Sequence, residues 1–303
     1  MSQQAYQTFA AAIEENISQL LPSELPQDDK FFVSDETLIQ EIGSKQDLFF
    51  TLQNSLYNFQ PDVYIQLESY DLFSQFWSDL ALDGALHSTF ETREVQIEYD
   101  NKSPCTMRLI FTYNAAGQIL KKLLNEEEMV FADNSVQNLY DKAQLILTEN
   151  TSRDMSDLQK ETAIHDYIVV NTEYSITGDP DTLASAESVL LNGKGQCQGY
   201  SEAMSLLLGL AGIDSRVVSG TAYGSDGTAV AHAWNQVKIN DVWYHADVTW
   251  DDPVPDTGNY ASHMYMNRSD EVLAGDHKWS ELFQVCPVDF PLSDTDSAVD
   301  IAS

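Results

Sequence analysis

The chain is poor in basic charge. Fifteen lysines and arginines stand against 48 aspartates and glutamates, a formal net charge of −33 over 303 residues. A surface that negative repels phosphate backbones and anionic lipid heads, so nucleic acid and acidic membranes are not expected partners. It would draw cationic groups such as lysine-bearing peptides, although a solvated acidic surface with no partner explains the same numbers. Cysteine is scarce too: the three are Cys105, Cys197 and Cys286. An odd count in a chain this long is no disulfide framework, and a Cys105–Cys286 bridge has nothing to support it. No CxxC, HExxH or EF-hand spacing occurs, so no metal or other cofactor is expected. No stretch approaches the ~20 apolar residues of a membrane span. The opening residues, Met1-Ser2-Gln3-Gln4-Ala5, lack the basic and apolar regions of a signal peptide.

What the sequence does contain centres on Gly193-Lys194-Gly195-Gln196-Cys197-Gln198-Gly199-Tyr200. Two glycines make a tight turn, a cysteine follows, and an apolar run begins at once. Met204, Leu207, Leu208 and Ala211 recur as one face of a helix, and Gly212 ends it as a C′ residue would. Cys197 then sits in the first helical turn, where unpaired N–H groups and the macrodipole favour the thiolate. Taken alone, Cys197 is equally a small core residue.

Downstream lie His232, in Val230-Ala231-His232-Ala233-Trp234-Asn235, and Asp247, in Trp243-Tyr244-His245-Ala246-Asp247-Val248-Thr249-Trp250. Both segments are rich in β-branched and aromatic residues and read as strands, the second over Val242 to Trp250. Asn240-Asp241 supplies a two-residue hairpin turn. With the turn centred there, Asp247 faces Trp234 and His232 faces Thr249. His232 and Asp247 become diagonal neighbours on one face, roughly 7 Å apart between backbones. A one-residue slip would separate them. Cys197, His232 and Asp247 are the nucleophile, base and orienting group that thiol catalysis needs. Each also has a plain reading: a core thiol, a satisfied strand histidine, a strand-end cap. His232 with His245 and Asp247 makes an alternative metal set, but that leaves the cysteine unexplained.

These motifs, with Ile164-His165-Asp166-Tyr167, Glu187-Ser188-Val189-Leu190, Asp251-Asp252-Pro253 and Asp276-His277-Lys278-Trp279, closely resemble the transglutaminase-like superfamily. The resemblance runs from about Lys160 to Trp279. It implies a papain-like α+β core, with the cysteine at a helix N-terminus packed on an antiparallel sheet, and a triad of Cys197, His232 and Asp247. The implied chemistry is acyl transfer at an amide of a peptide or protein substrate, through a thioester. Peptidase or amidase activity is one reading and protein crosslinking another; a noncatalytic binding or cell-surface module that retains the fold is the third. Crosslinking enzymes of animals carry Trp after the cysteine. Gln198 stands there instead, which points to the bacterial, hydrolase-like branch. Gln196, Gln198 and Tyr174 are candidates to assist the oxyanion, and Trp234 to wall the site. The superfamily's many secreted members favour a mature extracellular or cell-surface fragment over a cytosolic protein.

Residues 1–150 carry no chemical constellation and read as an accessory α+β region. Expected there are a helix from Tyr6 to Leu21, a helical stretch opened by Ser34 through Ile42, and a helix over Leu48 to Leu56. A strand at Val63 to Leu67, a hairpin of Val95–Tyr99 with Met107–Tyr113, and helices from Gly117 to Thr148 follow, with a break at Asp133-Asn134. Asp71 to Leu82 fits either periodicity. Residues 151–290 form the catalytic domain, with a capping box at Ser156, a strand at His263 to Asn267, and His165 read as structural. Residues 291–303 are an acidic flexible tail.

Overall fold

The computed structural model describes residues 37–82, 92–100, 102–254 and 260–290. The expected first helix, Ser34 and the acidic tail lie outside these residues. The fold is α+β.

One sheet contains β1 (Ile39–Glu41), β2 (Asp62–Leu67), β3 (Thr92–Tyr99) and β4 (Cys105–Tyr113), in the order β1-β2-β4-β3. Val63, Ile65 and Leu67 alternate inward along β2, as a period of two requires. The β3–β4 hairpin sets Val95 opposite Phe111 and Tyr99 opposite Met107. Helices Lys45–Tyr57 and Tyr70–Leu82 supply Leu48, Phe49, Phe73 and Trp77 to the same core. The segment Leu38 to Ile42 is not helical as expected. Ile39 lies parallel and opposite to Tyr64, and the Ile42 N–H continues the ladder to the Gln66 carbonyl. A ready-made strand edge outweighs the local helical pattern there.

The helices Ala115–Leu124 and Asn134–Asn150 are capped by Asn114 and Asp133, so the break between them is wider than the two residues expected. Ser156 makes both bonds of a capping box with Gln159 and starts the helix Asp157–Asn171. All three helices, with Ala186–Asn192, pack around the central helix Cys197–Leu210. That helix is buried almost all round, with Met204, Leu206, Leu207 and Leu208 fully enclosed. Gly212, at φ +81°, ends it; the Ile213 N–H reaches Leu208 O and the Gly212 N–H reaches Gly209 O, a Schellman closure.

A short parallel pair, β5 (Glu173–Tyr174) and β6 (Lys194–Gly195), brackets the start of the cysteine helix. The second sheet runs β10-β7-β8-β9, from β7 (Ser215–Tyr223), β8 (Ala229–Ile239), β9 (Val242–Ala246) and β10 (His277–Trp279). Its residues alternate between two cores. Val217 and Ala233 pack on Cys197, whereas Val218 and Trp234 join the core of the first sheet with Leu273 and Phe283. β9 stops at Ala246 rather than Trp250, because the Asp247 side chain takes the next backbone N–H groups into a turn. His263 to Asn267 is likewise no strand. Its backbone is spent on a turn, with the Met266 N–H on His263 O and Asn267 at φ +56°. No helix among the described residues is long and apolar enough to cross a membrane.

Candidate active site

The cysteine reaches its place because three glycines let the chain pack tightly around the helix start. Gly193, at φ +66°, is the left-handed cap of the helix Ala186–Asn192. A methyl group on Gly195 would lie 2.5 Å from the Val189 side chain, and one on Gly199 would lie 2.6 Å from Leu183 O. Gln196 is the extended N-cap residue, and its N–H bonds Leu183 O at 2.9 Å. Cys197 opens the helix and is 7% exposed.

The histidine and the aspartate are brought together by the β8–β9 hairpin. Asn240 and Asp241 adopt φ +51° and +65°, the two positive values a type I′ turn demands. Pairing of Asn235 with Ala246 and of Val237 with Tyr244 sets the register, and the next pair outward would be Trp234 with Asp247. His232 Nε2 lies 2.7 Å from Asp247 Oδ2. Asp247 Oδ1 accepts the backbone N–H groups of Thr249 and Trp250, each at 3.1 Å. Oδ2 is shared with a second histidine, His277, whose Nε2 is 3.1 Å away. Burial alone would raise the Asp247 pKa. The adjacent His232 charge and the bonds from both imidazoles overcome it and hold the carboxyl far below the usual range. Burial likewise opposes charge on His232. The Asp247 charge and hydrogen bond, with a further hydrogen bond to Cys197, push it up to about 10. Nε2 being held by Asp247, the sulfur is left to Nδ1.

Trp234 lies beneath this pair instead of facing solvent. It is fully buried, its ring stacks on His232 at 5.9 Å, and its Nε1–H donates to His245 Nδ1 at 2.9 Å. That donation leaves the His245 proton on Nε2, which faces Asp270 Oδ1 at 2.9 Å. Burial lowers the His245 pKa. His245 therefore turns away from Asp247, and the set of His232, His245 and Asp247 does not converge on a shared point.

A groove of about 380 Å³ opens beside His232, lined by Tyr174, Trp250, Asp252, Asp226 and Val254 among others. Burial, then the nearby Cys197 and Asp247, raises the Tyr174 phenol. Gln198 is tied sideways by its Nε2 to Glu202 Oε1 at 3.0 Å. Gln196 is half-buried beside the cysteine. The residues that sequence reasoning did not bring to the site are Trp250, Asp252, Asp276 and His277. Trp250 and His277 rings lie 4.5 Å apart, and Tyr200 donates its hydroxyl to Asp252 at 2.6 Å. A histidine followed at a distance by an aspartate carries no signal of which pairs will meet. Elsewhere among the described residues, His165, Asp166 and His263 bring ligand atoms within 4.8 Å of one another, as do His245, Asp270 and Cys286. Both ring nitrogens of His165 and of His245, and Nε2 of His263, already face carboxylate oxygens or Trp234. Cys105 and Cys286 are free thiols, so the conceivable bridge between them is not formed.

The family model described as the transglutaminase-like superfamily matches residues 146–248. No curated protein matches the chain. Among solved structures, it is similar to one titled a TGase, at 16% identity and TM-score 0.32, covering 62% of this chain and 50% of that one. A candidate cysteine protease from Cytophaga hutchinsonii is similar at 20% identity and TM-score 0.33, covering 54% of this chain and 64% of that one. The arylamine N-acetyltransferase of Bacillus cereus, titled as having a Cys-His-Glu triad, is similar at 18% identity and TM-score 0.26, covering 41% and 51%. The chain thus spans less than two thirds of each. Residues 146–248 thus form a transglutaminase-like superfamily domain.

Proposed function

We propose that this protein is a thiol enzyme that transfers acyl groups from amides, acting as a peptidase or amidase. Cys197 is the nucleophile, His232 the general acid and base, and Asp247 the group that orients the ring. The observation that carries this reading is the His232 imidazole, hydrogen-bonded through Nε2 to a buried carboxylate and in hydrogen-bonding reach of the Cys197 sulfur.

The steps follow from those positions. The Cys197 thiolate adds to the amide carbonyl carbon, and the carbonyl oxygen becomes an oxyanion. The first-turn N–H of Cys197 is suited to stabilise it, with Tyr174, Gln196 and Gln198 as candidate second donors. The C–N bond breaks as the His232 imidazolium gives its proton to the departing amine. His232, now neutral, takes a proton from water, whose oxygen attacks the thioester and frees the acid. The thiolate and imidazolium are restored. Residues 1–150 serve as an accessory region, and a peptide or protein is the substrate class.

Cys197→Ala should abolish release of amine from a peptide-amide library while the thermal melt and circular dichroism stay unchanged. Activity retained in that variant would sink the mechanism. Incorporation of an added primary amine in preference to water would move the assignment to crosslinking. Failure of a thiol-directed probe to label Cys197 would favour a noncatalytic module.

A further inference from the structure

Asp247 Oδ2 serves two histidines, and only one of them belongs to the proposed triad. His277, on the edge strand β10, brings its Nε2 to 3.1 Å from that oxygen. Its other nitrogen, Nδ1, is 2.6 Å from Asp276 Oδ1, and Asp276 Oδ2 accepts the Tyr265 hydroxyl at 2.7 Å. The chain of contacts therefore runs from Tyr265 through Asp276, His277 and Asp247 to His232. His277 is 3% exposed, so bulk solvent does not reach its ring. Trp234 and Trp250 close on its ring from two sides, at 5.0 and 4.5 Å.

We infer that His277 and Asp276 are positioning residues for the proposed triad, a second imidazole–carboxylate pair that aims the Asp247 carboxylate at His232. This rests on the triad reading given above. The physical case is one of counting. A carboxylate has two oxygens and can rotate about its Cβ–Cγ bond. Two backbone N–H groups fix Oδ1. His232 gains and loses a proton at Nδ1 in every catalytic cycle, so the strength of its Nε2 bond to Oδ2 varies through the cycle. His277 takes no part in those proton transfers and is clamped at its far side by Asp276. It holds Oδ2 in place while the bond to His232 changes strength. A group that acts through an orienting carboxylate changes the poise of the thiol–imidazole pair, which can be read without knowing the substrate.

The experiment is the rate of Cys197 alkylation by iodoacetamide between pH 4 and 10, with peptide mapping to identify the labelled thiol. Cys105 and Cys286 serve as internal controls: burial, first, pushes Cys105 up to about 11 and raises Cys286 above the ordinary thiol range. His277→Phe removes the donor to Oδ2 and should slow labelling at pH 7 by about 10–100-fold, the worth of one charge-assisted hydrogen bond, and should displace the acid limb of the profile. His277→Gln, which keeps an N–H near the Nε2 position, should restore the profile to within about threefold. A folded His277→Phe protein with the parent profile would overturn the inference, as would a His277→Gln protein no better than His277→Phe. Should His277→Phe not fold, Asp276→Asn decides, since Asp276 is one third exposed: a displaced profile supports the inference and an unchanged one overturns it. If the parent protein itself shows no selective labelling of Cys197, it is the triad reading that fails.

Discussion

Glu161 is a carboxyl group where a negative charge is poorly supported. It is fully buried, and among the described residues its one side-chain hydrogen bond comes from Asn267 Nδ2 at 2.9 Å. Glu161 Oε1 and Asn267 Oδ1 are both buried without a partner. Burial pushes the Glu161 pKa up to about 7 against the pull of Asn267 and His165. Protonation gives Oε1 a hydrogen to donate, and Asn267 Oδ1 is an acceptor in need of one. A folded-state pKa above the unfolded value means that stability is fully present below about 4.5 and falls as the pH rises through about 7. Glu161→Gln removes the ionisation and keeps the shape. It should raise the free energy of unfolding at pH 8 by an amount on the order of 3 kcal/mol, and change it much less at pH 5. An equal gain at both pH values would remove titration as the cause. His232 follows the same sign: its raised value makes the imidazolium a stabilising charge up to neutral pH, lost as the pH passes about 10. The Asp247 charge behaves oppositely and its contribution disappears only in strong acid. Asp247→Asn would present an amide to the ring and favour the wrong tautomer. Its cost in amide turnover is expected to be on the order of 10³–10⁴, comparable to the loss that the same change causes in a serine triad, measured at a temperature below the melt of the variant.

Among the elements, the cysteine helix and the β8–β9 hairpin were the most legible in the sequence, and for physical reasons. A type I′ turn needs two residues that tolerate positive φ, and Asn240-Asp241 are such residues, so the register of Trp234 opposite Asp247 could be written down from the turn alone. Gly212 announced the helix end because a left-handed C′ residue is rarely anything else. Legibility failed where a distant strand or side chain decided the outcome. β1 is a strand only because β2 offers an edge. β9 ends at Ala246 because the Asp247 carboxylate captures two backbone N–H groups, a choice no periodicity records. His277 reaches Asp247 over β7 and β8, β10 pairing to β7 with Thr221 opposite Lys278. The glycines of the cysteine motif show the same limit. Gly199 has no role that the sequence assigns, yet it lies under the Leu183 and Ser185 carbonyls, 2.6 and 2.9 Å from where a Cβ would be. Both are backbone atoms, so the neighbours cannot step aside as a side chain could. Gly199→Ala should lower stability by about 1–3 kcal/mol, the usual cost of overpacking, and displace the helix start. The check is a denaturant titration paired with the Cys197 labelling rate. A variant as stable and as reactive as the parent would show that the segment over it yields.

At the scale of the whole molecule, charge is the dominant property, and it acts on folding and on substrate in opposite senses. Forty-eight acidic residues against 15 basic ones leave most carboxylates without a cation to face. Their mutual repulsion favours expanded states and is long-ranged at low salt. Among the described residues, the groove beside His232 is lined by Asp226 and Asp252 and by no lysine or arginine. The same field that strains the fold should therefore gather a cationic peptide at the site. Raising the ionic strength from 10 to 100 mM shortens the screening length from ~30 to ~10 Å. Repulsion between surface carboxylates weakens, and a gain on the order of 1 kcal/mol corresponds to a melting temperature higher by ~2–4 °C. Attraction of a lysine-bearing substrate weakens as well, so its kcat/KM should fall over the same range while that of a neutral peptide amide stays level. The two substrates compared at each salt concentration separate steering from any effect of salt on the fold, because stabilisation would act on both alike. A cationic and a neutral peptide that respond identically would leave the acidic surface as solvation alone.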